Sequence, residues 1–168
     1  MGSNSTFYFA TVPYSIGSSP VVSYHYGAGN QGELQNMFRK GLVCMGGGGL
    51  LLTLLAELLN GPLVRIFAGY DAELFAITSH GFRLYALAFL LMGLNIWGSA
   101  FFTALNNGTV SAIISFLRSL VFQTAAVFLL PLLTGIDGIW LAIVAAELLA
   151  AVLTGCFFAA KRKRYHYF

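Results

Sequence analysis

Glu147 lies near the middle of an apolar run that extends from about Gly138 to Ala160. A carboxylate in hydrocarbon is expensive, so it counts as a functional candidate by default. Two readings fit it: a proton or cation site on a substrate path, or a polar contact that locks two helices together. Arg118 lies in the preceding apolar run, about 12 Å in from its nearer end at 1.5 Å per residue; Glu147 lies about 20 Å in by the same count. A salt bridge between them requires Arg118 to stretch. The alternative is a guanidinium that snorkels to the headgroups. Asn95 sits mid-run in another apolar segment, close to Trp97 and Ser99. A buried amide in lipid needs a partner helix or a water-filled cavity. Tyr85, Phe89, Trp97, Phe101 and Phe102 give the same segment an aromatic surface. Such a surface suits flat cationic ligands through cation–π contact, and it equally suits lipid. Asn95, Glu147, Trp97 and Tyr85 are therefore the substrate- or cation-path candidates, and Arg118 is a helix-pairing or interfacial charge.

The elements that must position these residues are membrane spans. A crossing needs about 20 mostly apolar residues. Four segments reach that scale: about Leu42 to Leu59, Gly81 to Leu105, Val110 to Leu133 and Gly138 to Ala160. A shorter stretch from Phe7 to Val22, interrupted by Pro13 and Pro20, reads as a partial helix. The expected organisation is a partial transmembrane helix over 1–26, a cytoplasmic loop over 27–41, a four-helix transmembrane region over 42–160 and a basic tail over 161–168. Asn60-Gly61-Pro62 reads as the end of the first span, and Asp71 as an N-cap leading into the second. The fold class is thus all-α and membrane-embedded.

Composition supports this. The chain is 58% hydrophobic and 9% charged, against about 25% charged residues in a soluble domain. The formal charge is +3, but Lys161, Arg162, Lys163 and Arg164 form one terminal cluster. That is too local for a nucleic-acid face and fits an anchor after a last helix. With the tail in the cytoplasm, Arg39, Lys40, Arg118 and the terminal cluster lie inside, and Arg65 and Arg83 outside. The expected location is the plasma membrane, multi-pass, with the lipid bilayer as the main partner.

Several patterns carry little chemistry. Cys44 and Cys156 sit in apolar runs, and His25, His80 and His166 are scattered without ligand spacing, so no metal or other cofactor is expected. Residues 27–32 fit G-x-G-x-x-G, but no strand precedes them and no suitable carboxylate follows, so they read as a glycine-rich turn. Gly46-Gly47-Gly48-Gly49 lies inside the first span and reads as a close helix-packing surface. No nucleophile–base pair is evident, so an enzyme is not expected.

Pro20-Val21-Val22-Ser23-Tyr24-His25-Tyr26-Gly27-Ala28 resembles the P-[IV]-[IV]-S-Y-N-Y-G-A segment of multidrug and toxin extrusion (MATE) exporters, with His25 where Asn is usual. Phe101-Phe102-Thr103-Ala104-Leu105 resembles the end of the family's tenth helix. Arg118, Leu130-Pro131-Leu132 and Gly135-Ile136-Asp137-Gly138-Ile139-Trp140-Leu141-Ala142 resemble the eleventh helix and the turn into the twelfth. The resemblance runs from about Tyr14 onward and corresponds to the end of the eighth helix through the twelfth. It implies part of a C-terminal lobe, with the N-terminal lobe as a missing partner. It also implies efflux of hydrophobic or cationic small molecules, coupled to Na+ or H+ entry by alternating access; since that needs two lobes with a site between them, this piece alone is expected not to transport. The family's tenth-helix acid falls near Asn95, an amide that takes up no proton. Two other classes remain open: a related lipid-linked oligosaccharide flippase, and a small non-transporting membrane subunit.

Overall fold

A computed structural model describes the backbone of residues 3–167 and the side chains of residues 14–167. Met1, Gly2 and Phe168, which belong to the expected segments 1–26 and 161–168, lie outside the described residues. The described chain is helical: α1 Ser3–Gly27, α2 Gln31–Ala68, α3 Ala72–Ala86, α4 Phe89–Ala104, α5 Gly108–Phe116, a π-helical segment Leu117–Phe122, α6 Gln123–Thr134 and α7 Ile136–Tyr165. The helices α2 and α7, and the run Gly108–Thr134, are long and apolar enough to cross a bilayer. The pair α3–α4 passes the same criterion as one span bent by 41°. The all-α membrane architecture expected from composition is present.

Two boundaries differ from expectation. The 27–41 loop shrinks to a turn, because α2 begins at Gln31. Asn30 caps it, accepting from the Glu33 amide at 3.2 Å. From there Leu34, Phe38, Gly41, Met45 and Gly49 recur at helical spacing on one buried face, an amphipathic stripe that continues the helix beyond the apolar span. At the other end α2 runs through Gly61 and Pro62 to Ala68. The stripe continues through Asn60, Val64 and Ala68. Asn60 donates to the Ser79 carbonyl at 3.1 Å and hydroxyl at 3.0 Å, tying α2 to α3. A proline inside a helix is tolerated where lipid makes unpaired backbone costlier than a local distortion.

Other local signals hold. Asp71 caps α3, accepting from the amides of Glu73 at 2.8 Å and Leu74 at 3.2 Å. Asn107 caps α5 through the Val110 amide at 3.3 Å. The segment expected as one span over Gly81 to Leu105 is broken at Leu87 and Ala88. At the break α2 comes close: a Cβ on Gly49 would stand 2.9 Å from the Leu90 carbonyl oxygen. Gly46, Gly47 and Gly48 meet nothing within 4 Å, so only one of the four glycines serves close packing.

The turns sort to two ends. The α1–α2 turn, the α4–α5 turn and the residues after α7 meet at one end, through Ser23 Oγ donating to the Ala104 carbonyl at 2.9 Å and Asn107 Nδ2 to Tyr165 Oη at 2.9 Å. This end carries Lys161 to Arg164. At the opposite end His80 approaches Asp137 at 3.2 Å and Arg83 approaches Glu57 at 3.8 Å. Both pairs are well exposed, and pairs of that kind contribute little.

At the basic end α7 is closed by His166 in the left-handed conformation (φ 54°), its amide donating to the Arg162 carbonyl at 2.8 Å. Histidine is among the residues that tolerate that region. The reversal drops Tyr167 into the core, where it is fully buried, stacks on Phe38 and donates to the Phe158 carbonyl at 2.9 Å. Burial, and secondarily the neighbouring Tyr165, push the Tyr167 phenol above its ordinary value near 10. An acid with a raised folded pKa contributes stability that is complete below its unfolded pKa and is lost as pH rises towards the folded one. Protease cleavage after the basic run should therefore accelerate above about pH 10, and Tyr167→Phe should flatten that rise. An equally steep rise in the variant would show that another group controls the tail.

Candidate functional site

Three segments meet inside the bundle. The helix α4 presents Asn95, α7 presents Glu147, and the π segment presents Arg118. Arg118 Nε donates to Glu147 Oε1 at 2.9 Å and to Oε2 at 3.1 Å. Asn95 Nδ2 donates to Glu147 Oε2 at 2.7 Å and to the Glu147 backbone carbonyl at 2.9 Å. Both carboxylate oxygens are therefore engaged. The side chains are 15% (Arg118) and 7% (Glu147) exposed, which makes this an interior pair rather than a surface one. Arg118 thus reaches Glu147 and does not belong with the basic end. The depth difference of about 8 Å, from counting 1.5 Å per residue along each helix, is spanned by two long side chains. The backbone under Arg118 also departs from α-helix. A π turn widens the helix by one residue and changes the phase of the side chains along it, a feature frequent at functional sites.

The amide orientation of Asn95 follows from its neighbours. Two acceptors face Nδ2, so exchanging O and N would set an oxygen against a carboxylate. That leaves Asn95 Oδ1 buried without a hydrogen-bond partner. Asn95 and Glu147, two of the path candidates, are therefore brought together, with Arg118 added. The arrangement holds a charge pair of zero net charge and one open acceptor.

The other two candidates lie elsewhere. Trp97 is buried among Phe38, Phe101 and Phe158, with ring centroids 5.5, 5.1 and 6.0 Å away. Tyr85 is half-buried beside the α3–α4 break, edge-on to Phe89 at 5.7 Å.

A hydroxyl cluster between α4 and α5 is less legible. Ser99 Oγ lies 2.9 Å from Ser111 Oγ and 2.8 Å from Ser115 Oγ, and Thr103 Oγ1 donates to Ser111 Oγ at 2.7 Å. The only sequence signal is i, i+4 spacing, Ser99 with Thr103 and Ser111 with Ser115, on apolar helices. Hydroxyls at that spacing on neighbouring spans are expected to bond across them. Thr154 Oγ1 is a further buried, unpartnered group, on the stretch of α7 that packs against Gly98 of α4.

A bundle of helices long and apolar enough to cross a bilayer defines an integral, multi-pass membrane protein. The chain belongs to the MatE family, whose model matches residues 1–129. Members of that family are transporters rather than enzymes, which accords with the absence of catalytic motifs in the sequence. The matched stretch contains Asn95 and Arg118 and stops before Glu147. No curated protein and no solved structure matches the chain.

Proposed function

We propose that this chain forms part of the C-terminal lobe of a plasma-membrane exporter that expels hydrophobic or cationic small molecules in exchange for Na+ or H+. The family match over residues 1–129 carries the reading. Alternating access needs two repeats or lobes with a site between them. The helices described here pack as one bundle whose central polar group is already closed by Arg118. These residues alone therefore do not transport. A carboxylate missing at Asn95 has a replacement in contact, since Glu147 lies 2.7 Å from the amide. Glu147 is the C-lobe group able to exchange a proton or cation, and Arg118 is the counter-ion that holds it when neither is bound. The basic residues clustered at one end support a cytoplasmic location for that end by the positive-inside rule.

The flippase alternative has less support. A pyrophosphate cavity needs unpaired cations, and Arg118 is the basic residue well inside a span, engaged by Glu147. The test is drug resistance in a pump-deficient bacterial strain. The chain alone should confer none, and co-expression with a separately encoded N-terminal lobe of a family member should restore it. Resistance from the chain alone would overturn the two-lobe requirement. Failure of the combination, with both halves present in the membrane, would favour a non-transporting subunit.

A further inference from the structure

The glycine-rich turn at 27–30 is not used by the transport reading, yet it borders a recess. At the basic end a cavity of about 120 Å³ is bounded by His25, Gly29, Asn30, Arg164, Tyr165 and His166. A single water needs about 10–15 Å³ of such space, so the recess has room for a polyatomic group. We propose that it binds the phosphate group of an anionic ligand, supplied in the membrane by a lipid headgroup.

Three observations support this. First, basic side chains from separate elements converge on it: His25 from the end of α1, Arg164 from the end of α7 and His166 from the residue that closes α7. Second, contacts hold the backbone that carries two of them. Arg164 lies over the Tyr165 ring at 5.5 Å, Tyr165 accepts from Asn107, and the His166 carbonyl accepts from Gln35 Nε2 at 3.2 Å. Third, His25 Nδ1 is buried with no partner, although its ring is held edge-on to Tyr24 at 5.4 Å. A ring nitrogen with no partner, on a residue that lines the recess, can take a ligand there once the ring turns towards it. The start of α2 contributes its dipole to the same recess. The acid of that first turn, Glu33, is outside the lining and accepts from Asn36 Nδ2 at 3.3 Å.

The lipid source follows from location. The recess lies where helices end beside Lys161, Arg162 and Lys163, and basic pockets between spans at that level hold acidic headgroups. Gly29 adopts φ +68°, which lets the backbone reverse between α1 and α2 and brings His25 beside the start of α2.

The protein, reconstituted in phosphatidylcholine vesicles with and without phosphatidylglycerol, would be examined by native mass spectrometry for retained lipid. Phosphatidylglycerol should be retained in preference to phosphatidylcholine. Arg164→Gln should lower that retention about tenfold or more, the loss of a hydrogen bond between charged groups, whereas Lys163→Gln, outside the recess, should change it about fivefold or less, the effect of one cation near an anionic surface. His25→Ala supplies a second variant, with helicity by circular dichroism as the folding control. Equal losses in Arg164→Gln and Lys163→Gln would reduce the effect to diffuse attraction by the basic run and overturn the proposal, as would the absence of any preference for phosphatidylglycerol. Complete displacement by millimolar inorganic phosphate would identify free phosphate as a competent source of the same chemistry. Retention against it would identify the lipid.

Discussion

Replacing Arg118 by leucine should destabilise the bundle by about 3–5 kcal/mol, because Glu147 would be left buried with no counter-ion. Glu147→Leu should have a similar effect, leaving the guanidinium unpaired. The pair Arg118→Leu/Glu147→Leu should recover most of the loss, since removing both charges abolishes the desolvation penalty along with the attraction. The measurement is a double-mutant cycle on reversible unfolding in detergent micelles. A coupling of about 3 kcal/mol is expected, where independent residues give about 0.5 kcal/mol or less. Additive losses would mean that the two side chains do not act as a pair. Asn95→Leu should cost less, because it removes a neutral donor rather than a charge.

The second large effect is steric. Trp97 lies against Gly41, where an added Cβ would overlap the indole ring. Gly41→Val should therefore destabilise by about 1–3 kcal/mol through overpacking. Trp97→Ala should cost about 3–5 kcal/mol by opening a cavity beside Phe38, Phe101 and Phe158. The combination should be more stable than the sum of the two losses predicts, because the new side chain enters the space the indole vacates. Thermal unfolding of the three variants in one detergent checks this. Strict additivity would show that the two positions do not touch. If Trp97 instead lined a drug path, Trp97→Ala would change substrate selectivity without that stability loss.

These two experiments also separate the path candidates. The cluster of Asn95 and Glu147 has the chemistry to exchange a cation, whereas Trp97 has the surroundings of a packing residue. Tyr85 keeps a different position, at the bend between α3 and α4, where a span is already interrupted.

How much of this was legible in the linear chain depends on the range of the interaction. Span number and the all-α class follow from composition and run length, because a bilayer imposes a fixed apolar thickness and forbids unpaired backbone. The caps at Asp71 and Asn107 are equally local: a short polar side chain reaches amides two or three residues ahead. Charged Arg39 and Lys40 interrupt the apolar run ahead of the first span, whereas Leu34 and Phe38 at helical spacing keep the start of α2 helical. Pro62 is a stop signal by local rules, yet the buried stripe through Asn60, Val64 and Ala68 carries the helix past it.

The sequence by itself determined that Glu147, Arg118 and Asn95 are polar groups stranded in apolar runs and must find partners. Only the tertiary structure decided that they find each other. Their separations of 29 and 52 residues from Glu147 carry no periodic signal, and the π turn under Arg118 has no signature in composition. The same holds for Tyr167, whose burial against Phe38 depends on a left-handed His166 and on where α7 ends relative to α2. Local rules act over a turn or two of chain, whereas burial of a charge is settled by which helices become neighbours.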